Sequence, residues 1–86
     1  MPIKIFSNSE IDQTETDLVK EWLNVNQIPF VLIDLNKNPE YFDYVVNKLK
    51  FKDMPVIDIG GLISFRGYSK ILLDSNKKLM IKLINQ

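Results

Sequence analysis

Lys52-Asp53-Met54-Pro55-Val56-Ile57 sets a proline at the mouth of a short apolar strand. The chain continues through Asp58-Ile59 into Gly60-Gly61 and then Leu62-Ile63-Ser64-Phe65. Strand, tight turn, strand is the reading, since Gly-Gly is a common two-residue hairpin signal. Beyond it, Gly67-Tyr68-Ser69 turns into a last helical region. There Ser69 serves as N-cap, and Ile71, Leu72, Leu73, Leu79, Met80, Leu83 and Ile84 supply the apolar faces. Asp74-Ser75-Asn76 is expected to break that region in two.

Upstream of the proline, Asn38 as N-cap, Pro39 at the first helical position and Glu40 next announce a helix. Its expected face is Phe42, Val45, Val46 and Leu49, the i, i+3, i+4, i+7 stripe. Ile28-Pro29-Phe30-Val31-Leu32-Ile33, inside Gln27 to Leu35, is nearly continuous in apolar character and reads as a strand buried on both faces. From Asp12 to Asn26 the residues Leu18, Val19, Trp22, Leu23 and Val25 follow helical spacing. Asp12 and Glu15 suit the partial positive charge of that helix's first turn. Ile3 to Ser7 is a short strand, and Asn8-Ser9-Glu10 a loop. A strand–helix–strand unit demands a parallel pair, and the hairpin adds an antiparallel one. The expected architecture is α/β: four strands in one mixed sheet flanked by three helices, in the order β-α-β-α-β-β-α.

Eighty-six residues, 45% of them apolar, make a single domain over 1–86. Such a chain buries about 60–65% of its unfolded surface. Eleven basic and eleven acidic side chains cancel, so the excess expected of a nucleic-acid binder is missing. Without a long apolar run or a leader pattern, the expectation is a cytoplasmic protein that does not engage membranes. Many Asn, Ile and Lys fit an AT-rich bacterial or phage genome. Cysteine and histidine are both absent, which excludes thiolate catalysis and zinc–sulfur sites and removes the usual general base. No metal site is expected.

In this order of elements the chain resembles the glutaredoxins, especially the short glutaredoxin-like redoxins that reduce ribonucleotide reductase. The resemblance spans nearly all 86 residues and implies a thioredoxin-like (glutaredoxin) fold. The family's two motif cysteines would fall on Ile11 and Thr14, with Asp12-Gln13 between them. Its segment with a cis proline matches Met54-Pro55-Val56, and its glycine-aromatic turn matches Gly67-Tyr68. The departures are chemical. Dithiol exchange needs a nucleophilic thiolate and a resolving thiol, and Ile11 and Thr14 provide neither. Asn8 stands where the family has a basic residue, Gln13 where it has an aromatic, and Ser69 and Lys70 where it often has paired acids.

What the resemblance leaves is a redox-inactive binding or regulatory module. Its groove would be formed by Ser9, Ile11, Gln13, Thr14, Asp53, Met54, Pro55, Arg66, Gly67, Tyr68 and Ser69. Backbone edges such as Met54-Pro55-Val56 accept extended peptides by strand addition, and the helix start at Ser69 can receive a carboxylate. The implied partner is a protein, ribonucleotide reductase or another redoxin client. An alternative is a glutathione-binding, transferase-like enzyme in which Ser9 or Thr14 supports the ligand's thiolate. A further one is a dimerising domain that uses Ile11, Trp22 and the first helix. Blander readings stand beside these. Pro55 is then a fold relic, Ile11 a cover for apolar surface under the first helix, Trp22 core packing, and the lysine clusters at 48–52 and 77–82 solvated faces. Arg66 and Tyr68 form the candidate contact pair.

Overall fold

The computed structural model describes residues 2–11 and 13–86. Four strands, β1 (Ile3–Ser7), β2 (Val31–Asp34), β3 (Val56–Ile59) and β4 (Ile63–Arg66), form one sheet in the order β2-β1-β3-β4. β1 and β2 run parallel, and β1–β3 and β3–β4 are antiparallel. Three α-helices, α1 (Thr14–Val25), α2 (Lys70–Ser75) and α3 (Lys77–Ile84), and an irregular helical stretch complete the chain. The α/β class and the mixed four-stranded sheet are as expected. The last helical region is two helices because Asn76 (φ −103°, ψ 4°) leaves helical geometry between them. The helical segments therefore number about four, not three.

The register sorts the core by period two. Ile3, Ile5, Ile57, Ile59 and Phe65 point to one face and pack with Val19, Trp22 and Leu23 of α1, Leu73 of α2 and Met80 of α3. Phe6, Ile33 and Val56 point to the other and meet Val45, with Tyr41, Tyr44, Leu49, Phe51 and Met54 around them. Helices thus cover both faces. On the second face Asp58, opposite Lys4, is only 3% exposed. Its carboxylate accepts from the Tyr44 hydroxyl (2.8 Å) and the Gly61 amide (3.0 Å).

Four local expectations are corrected. β2 is an edge strand, so Val31 and Leu32 are exposed instead of buried on both faces; only Ile33 of the three is covered. The hairpin loop has three residues, Gly60-Gly61-Leu62, because Ile59 pairs with Ile63 and both glycines take positive φ. The helix expected after Asn38 is a 3-10 turn (Pro39–Tyr41) that passes into a π-helical stretch (Tyr44–Lys48). Its wider hydrogen bonding, Leu49 N–H to the Tyr44 carbonyl at 3.0 Å, changes which residues share a face. Tyr41, Tyr44, Val45 and Leu49 turn inward, while Phe42 and Val46 are exposed. Asn38 does not cap it; the Asn38 side chain donates to the Asp34 carbonyl (3.1 Å) and closes the turn after β2. Fourth, α1 begins at Thr14. Asp12, expected in its first turn, lies outside the described residues.

Candidate functional site

The β3–β4 ladder carries the proline edge towards α1. Val56 pairs with Arg66, and one step further the Gly67 amide donates to the Pro55 carbonyl at 2.8 Å. The Met54-Pro55 peptide bond is cis, and Pro55 is buried. Beyond Pro55 the ladder stops. Among the described residues the N–H and C=O of Met54 and of Asp53 find no hydrogen-bond partner. The β1–β3 register carried on from Phe6–Val56 sets Asn8, where the first loop starts, opposite Met54.

Glu15, in the first turn of α1, reaches into the turn after β4. Its Oε2 accepts from the Tyr68 amide at 2.9 Å, and its Oε1 lies 3.4 Å from Arg66 Nη1. Gly67 has φ +80°, and a Cβ there would come within 2.5 Å of the Glu15 carboxylate. Only glycine admits both the left-handed backbone and so close an oxygen. The helix start, the proline edge and the glycine-aromatic turn are joined in this way through one carboxylate. Sequence spacing showed Glu15 as a helix-start charge; its reach across 53 positions to Tyr68 has no local signal. A carboxylate does occupy the turn before α2, and it is the chain's own. Ser69, the expected N-cap, accepts from the Leu72 amide at 3.2 Å.

The first loop is held from the opposite side. Asp34, at the end of β2, accepts from the amides of Ser9 (3.3 Å) and Asn36 (3.0 Å). A hydrogen bond from the Ser9 side chain, above all, and then the Asn36 and Ser9 amides hold its carboxyl below the ordinary carboxylate range. The Asn36 side-chain amide donates to Asn8 Oδ1, and Gln13 Nε2 donates to the carbonyls of Asn8 and Ile11. Gln13 therefore closes its own loop instead of facing outward as a contact residue. Ile11 is 55% exposed, which corrects its expected role as a cover for apolar surface. Thr14 is exposed at the first position of α1.

The predicted site residues fall into two groups. Pro55, Arg66, Gly67 and Tyr68 are tied together with Glu15, and Met54 packs against the second core cluster. Ser9 and Gln13 are tied to Asn8, Asp34 and Asn36. Asp53 is exposed and unbonded among the described residues. Two concavities indent the surface, the second of them bordered by Tyr68. One of about 430 Å³ is lined by Lys4, Tyr44, Asp58 and the Gly60-Gly61 turn. The other, about 260 Å³, lies along α1 between Leu18, Trp22, Val25 and Tyr68. Burial and the neighbouring Asp58 carboxylate push the Tyr44 hydroxyl up to about 12. Among the described residues no three acidic side chains gather as a metal site would require, and no helix is long and apolar enough to cross a membrane. The chain matches no family model, no curated protein and no solved structure.

Proposed function

We propose that this chain is a redox-inactive module of thioredoxin-like (glutaredoxin) fold that binds an extended protein segment along Asp53-Met54. The observation that carries the reading is the stretch of open backbone there. Asp53 and Met54 lie where the β3–β4 ladder ends, and their amide and carbonyl groups have no partner among the described residues. An incoming strand would supply those hydrogen bonds, with Pro55 buried behind it and exposed Ile11 beside the first loop as an apolar contact. Contact at such an edge requires no sulfur, and the chain holds none as cysteine. The partner class taken from the resemblance is ribonucleotide reductase or another client of redoxins. Glutathione is less well supported as a ligand, because the Tyr68 amide that could take its carboxylate already holds Glu15.

Immobilised chain exposed to purified ribonucleotide reductase and to other redoxin clients tests the proposal. Saturable binding is expected, weakened about tenfold by Ile11→Ser beside the edge, with no disulfide reduced. Failure of every client to bind, or binding indifferent to Ile11→Ser, overturns it. Calorimetry with glutathione alone separates the transferase-like reading, which requires heat of binding at millimolar ligand.

A further inference from the structure

We infer that the free edge of β2 pairs with the same edge of a second copy of this chain, about a two-fold axis at Leu32. The direction of the backbone carries the inference. One step past the Ser7–Asp34 pair, the Leu35 N–H donates to the Ser7 carbonyl at 2.8 Å. Bonding residues alternate along a parallel ladder, so Ile33 and Val31 also turn their N–H and C=O groups towards β1. Leu32 turns both of its groups away from the sheet. β2 is the outermost strand on that side, and among the described residues nothing meets the Leu32 N–H or C=O. A donor and an acceptor side by side on one residue are self-complementary. In an antiparallel pair each Leu32 gives its N–H to the carbonyl of the other, and the two sheets continue into one.

Side chains and charge agree with that register. Leu32 is 43% exposed and Val31 38%. Leu32 shares the face of its β1 neighbour Ile5, so two leucines meet there. Val31 and Ile33 share the other face, where Val31 meets Ile33 of the second copy. Phe30 then stands opposite Asp34 of the second copy, and no like charges are opposed. Sheet edges are ordinarily guarded by a charge. β4, the other edge, has one: the Gly67–Pro55 bond fixes its alternation so that Arg66 turns its backbone outwards beside an exposed guanidinium. From Phe30 to Ile33 there is none, and eleven basic and eleven acidic side chains leave no net charge to hold two copies apart. A seam between four-residue strands covers less than the about 1,200 Å² of a stable complex, so the dimer forms only at high concentration. This edge is separate from Asp53-Met54, and the pairing stands whether or not that backbone takes a partner.

Sedimentation velocity from about 10 μM to about 1 mM is expected to show the monomer passing into a dimer. Over the same range, deuterium exchange at the Leu32 amide should slow by more than about twofold, and by more than at Val31 and Ile33, which already donate to β1. Leu32→Lys and Leu32→Glu, at a part-exposed position, should keep the far-UV circular dichroism of the native chain. Each sets like charges together at the axis and should weaken self-association at least about tenfold. An equimolar mixture of the two chains sets Lys against Glu and should dimerise again, as a seam with residue 32 on its axis requires. A monomer at every concentration, a dimer whose Leu32 amide exchanges at an unchanged rate, or charged variants that pair as well alone as when mixed overturns the proposal. The exchange measurement uses the native sequence, so it decides the matter even where a substitution disturbs the fold.

Discussion

Glu15 holds three things at once: the Tyr68 amide, the Arg66 guanidinium, and the space in which a side chain at position 67 would sit. Removing the carboxylate in Glu15→Ala leaves the Tyr68 N–H short of an acceptor. The site is nearly half exposed, so water replaces part of the bond, and the expected loss is about 1 kcal/mol by urea unfolding. Gly67→Ala strikes the same contact from the other side. It forces a left-handed backbone on alanine and drives Cβ into the carboxylate, for a loss of about 2 kcal/mol. Tyr44 and Asp58 form the corresponding polar pair on the far face. Tyr44→Phe should cost about 1–3 kcal/mol, since it leaves a buried carboxylate oxygen without its donor. The pair also has a pH signature. The folded chain keeps the Tyr44 proton up to about 12, above the ordinary tyrosine value of 10.0, so the folded state binds more protons across that interval. The stabilisation is complete below that ordinary value and is lost as pH rises from there through about 12. Alkaline unfolding curves of the wild type should show that loss, and those of Tyr44→Phe should lack its share.

At the scale of elements, Ser69→Ala removes the side-chain acceptor of the Leu72 amide, and thermal unfolding should record a loss of about 1 kcal/mol. Lys50 closes the irregular helix with φ +66°, a conformation that opposes an L side chain. Lys50→Gly should therefore stabilise the chain by up to about 1 kcal/mol, the relief of strain outweighing the entropy of glycine in the unfolded state. These elements also mark where the sequence could be read. β1, α1, the break at Asn76 and the Ser69 cap were legible because each depends on residues within one or two turns. The stripe after Pro39 was misread because an assumed period of 3.6 put Phe42 and Val46 inside, where the π-helical hydrogen bonding brings Tyr41 and Tyr44. The apolar run at Val31-Leu32-Ile33 could not announce its place at the sheet edge, because strand order is a property of the whole sheet.

Across the whole molecule, the two loops at the C-terminal ends of the parallel strands are joined by Asp34. Its carboxyl is held below the ordinary range, chiefly by Ser9, so the tie persists above that range and is lost as pH falls through the depressed value. The amide resonances of Ser9 and Asn36 should move together in that acid window, and Asp34→Asn should abolish the step. Of the candidate site, the proline edge and the Gly67-Tyr68 turn were legible as local motifs. Glu15, the loop-closing role of Gln13 and the groove under Trp22 were not, because each is created by chain segments that meet only in the fold.

The proximity of Arg66 to Glu15 has a kinetic corollary. Two opposite charges 3.4 Å apart largely cancel each other's field beyond a Debye length, and Lys52 and Asp53, adjacent in the chain, do the same. A protein approaching the Met54 backbone thus meets a face without long-range steering, and its association rate should barely change with ionic strength. Under the proposed strand addition at that face, discrimination between partners resides in how long each remains bound.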